Sequence, residues 1–235
     1  MGIIRKVLVI DDDVLLVRLM EHHLIEEGFE VIKAYNGREG LSLVRSLKPD
    51  LVTLDIVLPD ISGWEVCQLI RQVSKVPIVM LTVKEEEEDV VRALEYGADD
   101  YIAKPVGMKE LVARIQAILR REEFHESPKG WVGFSDEFLQ VDLAQQRVLR
   151  QGSEVRLTPT ELNLLSYLVT NAGRTIKPRE LLVEVWGQEY ADDFDFVRTY
   201  IWQLRRKLEP DPKNPKYILN RPGFGYCFER RQQQA

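Results

Sequence analysis

The chain has 235 residues, of which 45% are hydrophobic and 30% charged, and its formal net charge is −6 at pH 7. This composition is typical of a globular protein with a real core and argues against disorder, and the length favours two domains. Two distant cysteines, Cys67 and Cys227, exclude a disulfide framework and a zinc site. Since no segment approaches the ~18 apolar residues that span a bilayer, we expect a cytoplasmic protein with no membrane partner.

The charge is divided unevenly along the chain. Residues 131–235 hold 15 basic and 14 acidic residues, a balance of +1, whereas residues 1–130 hold 17 basic and 24 acidic residues, a balance of −7. The negative total therefore describes an acidic first half joined to a near-neutral second half that contains basic clusters. A nucleic-acid partner for the second half is compatible with these numbers.

Five apolar runs in the first half alternate with amphipathic segments of helix length. These runs are Val7 to Ile10, Val31 to Ala34, Leu51 to Leu54, Ile78 to Leu81 and Tyr101 to Ala103. Strands that alternate with helices form parallel sheets, and continuously apolar strands are typical of a sheet covered on both faces. The pattern predicts a doubly wound α/β domain with a five-stranded parallel sheet.

The second half follows a different order of elements. Glu122 to Gly130 has no apolar periodicity, which indicates a linker, so we divide the chain into domains at 1–121 and 132–235 joined by a linker at 122–131. Strand-like segments come first, then three helical segments, the first opened by a capping box at Thr158 and Glu161, and finally a hairpin-like stretch. The strand-like segments are Phe138 to Leu143, Arg147 to Leu149 and Val155 to Leu157, and the hairpin is Tyr217 to Phe228. This order predicts an α+β domain.

Polar residues stand at the carboxyl ends of four of the predicted parallel strands. They are Asp11-Asp12-Asp13, Asp55, Thr82 and Lys104. Strand ends of a parallel sheet meet at one edge, where ligands bind. Clustered carboxylates supply hard oxygen ligands for Mg²⁺, a hydroxyl and an ammonium can bind phosphoryl oxygens, and Asp55 can act as a nucleophile. Taken alone, the aspartates are explained by turn or helix-cap chemistry, Thr82 as a strand-end hydroxyl and Lys104 as a solvated charge. Together they predict phosphoryl transfer.

These residues lie in motifs that resemble the receiver domain of two-component response regulators, a CheY-like fold, over residues 5–121. The matching stretches are Val7 to Asp13, Leu54 to Gly63, Leu81-Thr82 and Gly97 to Pro105. The resemblance implies a sensor histidine kinase as partner and Asp55 as the phosphoacceptor. It further implies that Asp12, Asp55 and the Val57 carbonyl bind Mg²⁺ directly and that Asp11 acts through water.

The same resemblance assigns the switch residues. Thr82 and Lys104 would bind the phosphoryl oxygens, Tyr101 would swing inward on activation, and Lys104-Pro105 would be a cis peptide. Val83 stands where the family often has alanine and Val106 where it often has phenylalanine. The larger Val83 is expected to slow hydrolysis of the aspartyl phosphate. The protein would accept a phosphoryl group and hydrolyse it, without being a conventional enzyme.

A dimer face is also implied by the resemblance. In the related transcription factors, the fifth strand and its two flanking helices pair across a homodimer through opposite charges. The corresponding residues of this chain are Asp99, Asp100, Glu110 and Arg114. Val90 and Gln116 replace two basic residues that are usual there, which weakens the dimer inference without removing it.

The segment Phe196 to Leu208 combines an apolar stripe with a basic outer face and contains no acidic residue. The stripe is formed by Val197, Ile201, Leu204 and Leu208, and the other faces carry Arg198, Thr199, Trp202, Gln203, Arg205, Arg206 and Lys207. Arginine and glutamine can form paired hydrogen bonds with base edges in the major groove. A solvated basic face explains such a helix taken alone. The hairpin that follows carries Arg221 near its tip, a shape suited to an adjacent minor groove.

Residues ~138–229 resemble the winged-helix effector domain of the OmpR/PhoB family. The shared features are Leu157 to Glu161, Arg179 to Leu182, Trp186, Ile201, Leu204 to Leu208 and Gly223 to Tyr226. The resemblance implies a winged helix-turn-helix that binds double-stranded DNA, with Phe196 to Leu208 as the recognition helix and the final hairpin as the wing. The loop Gln188 to Asp195 would touch RNA polymerase, or its acidic residues are only a solvated loop.

We therefore predict a phosphorylation-controlled, sequence-specific transcription regulator that acts as a dimer. A haloacid-dehalogenase-like phosphotransferase is disfavoured because Val57 stands where that class needs a second aspartate, and because it leaves the second half unexplained. A DNA-binding regulator that works without phosphorylation, with an atypical receiver, stays open as the alternative.

Overall fold

The computed structural model describes residues 4–82, 96–123 and 133–229. The chain divides into two compact units, Met1–Arg120 and Arg121–Ala235, each with its own sheet and core. Within the described ranges, no helix has the length and apolar character needed to cross a membrane.

The first unit is a five-stranded parallel sheet. Its strands are β1 (Lys6–Ile10), β2 (Glu30–Ala34), β3 (Leu51–Asp55), β4 (Ile78–Thr82) and β5 (Asp100–Ala103), and its described helices are α1 (Val14–Glu26), α2 (Gly37–Leu47), α3 (Gly63–Val73) and α4 (Met108–Glu123). The strands lie in the order β2-β1-β3-β4-β5, and every neighbouring pair is parallel. The predicted doubly wound α/β fold is confirmed.

Both faces of this sheet are buried, which explains why its central strands are continuously apolar. On one face, Leu8, Val52 and Met80 pack with residues of α2 and α3. On the other face, Val9 and Leu81 pack with residues of α1 and α4. Because helices cover both faces, the carboxyl ends of the strands are the natural place for polar chemistry.

The second unit has the predicted order of strands, three α-helices and a terminal hairpin. Its elements are the antiparallel strands β6 (Gly133–Ser135), β7 (Leu139–Asp142), β8 (Arg147–Arg150) and β9 (Ser153–Glu154), the helices α5 (Pro159–Thr170), α6 (Pro178–Val185) and α7 (Phe194–Leu208), a 3₁₀ turn at Gln188–Tyr190, and the hairpin strands β10 (Ile218–Arg221) and β11 (Gly225–Phe228). The predicted α+β class is confirmed.

The small sheet differs from the sequence prediction in two places. The strand β6 was not predicted, and the strand predicted at Val155 to Leu157 is replaced by the shorter β9. Gln151 and Gly152 both have positive φ, 50° and 76°, so the chain reverses tightly and pairing with β8 starts at Ser153. Val155 still donates to the Val148 carbonyl at 2.9 Å. The chain then turns into α5, whose predicted capping box between Thr158 and Glu161 is confirmed.

A partly buried arginine, Arg71, ties the end of α3 to the neighbouring strands of the first sheet. The Arg71 guanidinium donates to the Gly97 carbonyl at 2.7 Å and to the Asp99 carboxylate at 2.6 Å. Asp99 is fully buried and also accepts the Ile78 backbone N–H at 3.0 Å. Arg71 thereby neutralises a carboxylate that has no access to water.

We expect Arg71→Ala to lower the free energy of unfolding of the first unit by about 3 kcal/mol, because it leaves the Asp99 carboxylate buried without its cation. Urea unfolding of the full chain measures this difference. Arg38→Ala, which removes an exposed arginine from the same unit, is the matched control and should change stability by less than ~0.5 kcal/mol. Equal stability of the two variants would contradict the role given to Arg71.

Candidate functional site

Three predicted carboxylates come together at the carboxyl edge of the parallel sheet. Carboxylate oxygens of Asp11, Asp12 and Asp55 all lie within 4.8 Å of one another. Asp11 is fully buried and Asp55 is 5% exposed, whereas Asp12 is exposed. The Lys104 ammonium lies 2.8 Å from Oδ2 of Asp11 and 2.9 Å from Oδ2 of Asp55. The site is therefore a small acidic pocket closed on one side by a single cation.

Burial and this ion pair shift the pKa values of the pocket. Burial raises the pKa of Asp55, the Lys104 ammonium opposes that rise, and the nearby Asp11 adds to it. Burial lowers the pKa of Lys104, but its hydrogen bonds with Asp11 and Asp55 outweigh burial and leave this pKa raised. Lys104 is thus held in its charged form.

The other predicted residues of this site flank the pocket. Thr82, at the end of β4, is 4% exposed, and its backbone carbonyl accepts the Lys104 N–H at 2.5 Å. Val57 is 62% exposed in the loop after β3, where its backbone N–H donates to the Asp55 carboxylate. Tyr101 is partly buried against the core on the α2–α3 side of the sheet. The peptide between Lys104 and Pro105 is cis, as predicted, while Val83 lies outside the described residues.

One residue that the sequence reasoning missed fixes the loop after Asp55. The Asp60 carboxylate accepts the backbone N–H groups of Gly37 and Arg38, at 2.8 and 2.9 Å, and so caps α2 from a distance of more than 20 residues in sequence. These N–H groups lower the pKa of Asp60 although burial opposes them. Gly63 begins α3 so close to Asp55 that a Cβ there would lie 2.0 Å from the Asp55 carbonyl oxygen. Only glycine fits that contact, and no spacing in the sequence signals the Asp60 cap.

The oxygen ligands suit Mg²⁺. All three grouped side chains are carboxylates, which are the hard ligands that this cation prefers, and at least one of them faces solvent, as a partly hydrated Mg²⁺ requires. Lys104 does not fill the exposed side of the group, because its ammonium is bound to the two buried carboxylates.

In the second unit, the outer face of α7 carries an exposed stripe at four-residue spacing. Its members are Phe194, Arg198, Trp202 and Arg206. The side chain of Arg198 is 75% exposed and lies 3.2 Å from the Asp195 carboxylate, and Trp202 is 39% exposed. Thr199 is partly exposed, and its hydroxyl donates to the Asp195 carbonyl at 2.9 Å. This face offers cations and hydrogen-bond donors along one side of a helix.

Comparison with known proteins identifies both units. Residues 7–116 match the response regulator receiver domain, and residues 152–228 match the C-terminal domain of transcriptional regulatory proteins. The transcriptional regulatory protein KdpE of Mycobacterium tuberculosis is 43% identical over 223 residues, which cover 95% of this chain and 98% of that protein. The chain belongs to the OmpR/PhoB-type response regulators. It is a two-component response regulator with a receiver domain and a DNA-binding domain.

Further relatives and solved structures of similar proteins support this family assignment. The DNA-binding response regulator MtrA of Mycolicibacterium smegmatis is 41% identical over 94% of this chain and 96% of that protein. Among solved structures, a RitR mutant has a TM-score of 0.78 at 27% identity and covers 96% of this chain and 99% of that one. The Thermotoga maritima OmpR/PhoB homologue DrrB has a TM-score of 0.53 at 29% identity, with 97% and 100% covered.

Several residues that the sequence placed on the DNA-facing side of this regulator are instead directed at the protein itself. Gln203 is only 5% exposed and faces the interior, so its assignment as a DNA contact is wrong for this conformation. Arg205 donates to the Ile218 carbonyl at 2.9 and 2.7 Å, and burial lowers its pKa. The Lys207 ammonium lies 2.5 Å from the buried Glu161 carboxylate. All three lie on flanks of α7 that contact neighbouring elements. Dividing the helix into one apolar and one polar face does not show that polar residues beside the apolar stripe can also be covered.

The predicted dimer residues also divide into two groups. Asp99 is fully buried against Arg71, so its carboxylate does not reach the surface and its assignment to a dimer face is corrected. Arg114 lies 3.2 Å from the Asp100 carboxylate and 2.9 Å from the Glu110 carboxylate. Gln116 donates to Glu27, the residue that follows α1, at 3.0 Å. Val90 lies outside the described residues.

The final hairpin is bonded to the end of α7 through a buried carboxylate that the sequence did not reveal. Glu209 is fully buried and accepts the backbone N–H groups of Lys216, Tyr217 and Ile218, at 2.7 to 2.9 Å. Together with the bonds from Arg205 to the Ile218 carbonyl, these contacts fix the start of β10 to α7.

We expect Glu209→Ala to destabilise the second unit by at least about 2 kcal/mol, because it leaves three backbone N–H groups without their charged acceptor. The measurement is urea unfolding of the full chain followed by tryptophan fluorescence, since Trp186 is buried in this unit. Glu184→Ala, an exposed acid on α6, is the control. A Glu209→Ala variant as stable as this control would rule out the anchoring role.

Proposed function

We propose that this response regulator is a phosphorylation-controlled, sequence-specific transcription regulator, and that a sensor histidine kinase transfers a phosphoryl group to Asp55. The observation that carries the proposal is the Asp55 carboxylate itself, grouped with Asp11 and Asp12 and held 2.9 Å from the Lys104 ammonium. The proposed domains are the receiver at 1–121, the linker at 122–131 and the DNA-binding domain at 132–235.

The transfer forms a bond between a carboxylate oxygen of Asp55 and the phosphorus, and breaks the bond from that phosphorus to the histidine nitrogen of the kinase. Asp12, Asp55 and the Val57 carbonyl would hold Mg²⁺, with Asp11 acting through water. When bound, this cation neutralises charge on the transferring phosphoryl group. Slow autodephosphorylation would be a second transfer, in which a water oxygen bonds to the phosphorus, the bond from the phosphorus to the Asp55 oxygen breaks, and inorganic phosphate leaves. No other enzymatic activity is proposed.

Lys104 and Thr82 respond to the new charge. The phosphoryl group carries roughly −1.5 to −2 charges in place of the single charge of the Asp55 carboxylate, in a pocket where Lys104 already serves two carboxylates. The Lys104 ammonium and the Thr82 hydroxyl therefore turn toward the phosphoryl oxygens. Because the Lys104 N–H is bonded to the Thr82 carbonyl, the ends of β4 and β5 move together. Tyr101 lies on the same strand and swings inward with it, as the family resemblance implies.

This movement reaches the face that we propose for a homodimer. Asp100 is also on β5, and its carboxylate is paired with Arg114 of α4, which also binds Glu110. A shift of β5 therefore alters an ion-pair group that runs from the fully buried Asp100 through Arg114 to the exposed Glu110. We propose that the activated form dimerises there and thereby favours binding to repeated DNA half-sites.

The DNA contacts that we propose are the exposed residues of α7 and the hairpin. They are Arg198, Thr199, Trp202, Arg206 and Arg221. The acidic segment Gln188 to Asp195, which ends in the first turn of α7, is proposed to contact RNA polymerase. Since the partner is chromosomal DNA, the proposed place of action is the cytoplasm.

We expect acetyl phosphate and Mg²⁺ to add one phosphoryl group to the wild-type chain and none to Asp55→Asn, because only Asp55 has the lysine and the metal ligands around it. Intact-mass measurement detects the adduct, and analytical ultracentrifugation follows dimer formation. Glu65→Gln makes the same acid-to-amide change at an exposed residue of α3 and should retain the adduct. An adduct on Asp55→Asn would contradict the proposal. Equal DNA affinity of the phosphorylated and unphosphorylated chain would favour the phosphorylation-independent alternative.

We expect Arg198→Ala to weaken DNA binding and to reduce the slope of log K against log salt by about 1, because one fewer cation displaces counterions from the phosphates. Binding to duplexes selected from a random library, measured at several salt concentrations, gives this slope. Lys75→Ala, an exposed lysine of the receiver, is the charge-matched control and should leave the slope unchanged. If the salt slope of Arg198→Ala equals that of the wild-type chain, the proposal that α7 is the DNA-reading helix is contradicted.

A further inference from the structure

The loop that leads from β3 to α3 is held at both ends by backbone hydrogen bonds. We call residues 56–62, which join these two elements, the β3–α3 loop. The Ile56 N–H donates to the Leu81 carbonyl of β4 at 3.3 Å, and the Gly63 N–H donates to the Ile56 carbonyl at 2.8 Å. The residues between these ends, Val57 among them, need other contacts to fix their position.

The β3–α3 loop has an apolar side and a solvent-exposed side. Leu58 and Ile61 pack against the core on the α2–α3 side of the sheet, whereas Val57 is 62% exposed. Because the Val57 side chain contacts so little of the protein, it contributes little to the direction of its own carbonyl group. That direction has to be set by loop residues that are bound to the rest of the unit.

Asp60 binds the β3–α3 loop to α2 through polar groups. Its carboxylate oxygens accept one N–H group each, from Gly37 at 2.8 Å and from Arg38 at 2.9 Å. These are the first two residues of α2, whose N–H groups have no partner within the helix and favour a negative charge. The two bonds together fix both the position and the orientation of the Asp60 carboxylate.

Close packing surrounds this contact. A Cβ at Gly37 would lie 2.6 Å from Cγ1 of Ile61 in the loop and 2.7 Å from Cγ2 of Val66 on α3. The amino end of α2 therefore touches the loop and α3 at the same point. Since packed elements resist displacement, Asp60 attaches the loop to a rigid part of the unit.

We propose that Asp60 is a positioning residue for the metal site, because its bonds to α2 hold the Val57 carbonyl where Mg²⁺ can take it as a ligand. This inference rests on the proposed function, in which the Val57 carbonyl binds Mg²⁺. Asp60 acts through Val57 and is not itself a ligand. Mg²⁺ demands nearly ideal octahedral geometry, so a carbonyl that has to be ordered on binding costs affinity.

The coupling between Asp60 and the metal is reciprocal. If the bonds from Asp60 to α2 favour Mg²⁺ binding, bound Mg²⁺ must favour those bonds by the same factor. The N–H groups of Gly37 and Arg38 should therefore exchange with deuterium more slowly when Mg²⁺ is present. A helix cap with a structural role alone would not respond to the cation in this way.

The opposite edge of the sheet supplies a matched control. The Asp50 carboxylate also accepts a backbone N–H, that of Lys6 at the start of β1, at 2.7 Å. Removing the Asp50 carboxylate changes the net charge by the same amount as removing that of Asp60. General stabilisation of the unit by Mg²⁺ would slow exchange of the Lys6 N–H as well, so exchange at α2 is compared with exchange at Lys6.

The test measures Mg²⁺ binding to the full chain by isothermal titration calorimetry and amide exchange by nuclear magnetic resonance. We expect Asp60→Ala to weaken Mg²⁺ binding by about tenfold, the low end for residues that orient a metal ligand. Asp60→Asn, which keeps one of the two acceptor oxygens, should lose less affinity. Asp50→Ala should bind Mg²⁺ as the wild-type chain does.

Two results would overturn the positioning role. One is an Asp60→Ala chain that binds Mg²⁺ as tightly as Asp50→Ala, and the other is exchange at Gly37 and Arg38 that slows with Mg²⁺ no more than at Lys6. Thermal unfolding checks that the variants fold, and Asp60→Asn decides the question if Asp60→Ala does not.

The proposed function and this inference fail in different ways. A wild-type chain that binds no Mg²⁺ and accepts no phosphoryl group contradicts the proposed function, and the inference falls with it. A wild-type chain that does both, while Asp60→Ala keeps the full Mg²⁺ affinity, leaves the proposed function standing and rejects the role of Asp60 alone.

Discussion

The ion pairs of Lys104 are the interaction on which the first unit depends. The buried carboxylates of Asp11 and Asp55 lie so close together that their charges repel each other, and burial raises the pKa of Asp55. A single ammonium, 2.8 and 2.9 Å from them, makes the arrangement stable. The same ammonium lies at the end of β5, bonded through its backbone to β4. Any new negative charge in the pocket therefore competes with Asp11 and Asp55 for the Lys104 ammonium. Because Lys104 is bonded to the end of β4, a change in its ion pairs also acts on the position of the two strands.

Much of this unit could be predicted from the sequence because each level of the pattern agrees with the next. Continuous apolar strands imply a sheet covered on both faces, parallel strands bring their carboxyl ends together, and the polar residues after those strands meet as a consequence. Asp11, Asp55 and Lys104 are far apart in the chain but adjacent in the fold for this reason alone. The prediction of this site therefore depended on locating the apolar strands correctly in the sequence.

Residues on helix flanks and in loops could not be predicted in the same way. The pattern of α7 separates an apolar stripe from a polar remainder, but it does not say which polar residues meet other elements. Gln203 faces the interior, and Lys207 reaches Glu161 on α5, because tertiary packing covers more of the helix than its apolar stripe. Asp99 was misjudged for a related reason, since its partner Arg71 lies on a different element. The Asp60 cap depends on a contact between two loops that no local spacing records.

The ion pairs that Arg114 already makes limit what this residue could add to the free energy of dimerisation. In the single chain its guanidinium is already satisfied by Asp100 and Glu110. Asp100 is fully buried, so of the two partners only Glu110 can be exchanged for the same residue of a second copy. That exchange replaces one ion pair by an equivalent one and itself yields almost no free energy. Such charges would select the correct partner and register. The affinity would need another source, such as apolar burial or two neighbouring DNA half-sites, and association in free solution would stay weak until one of these is supplied.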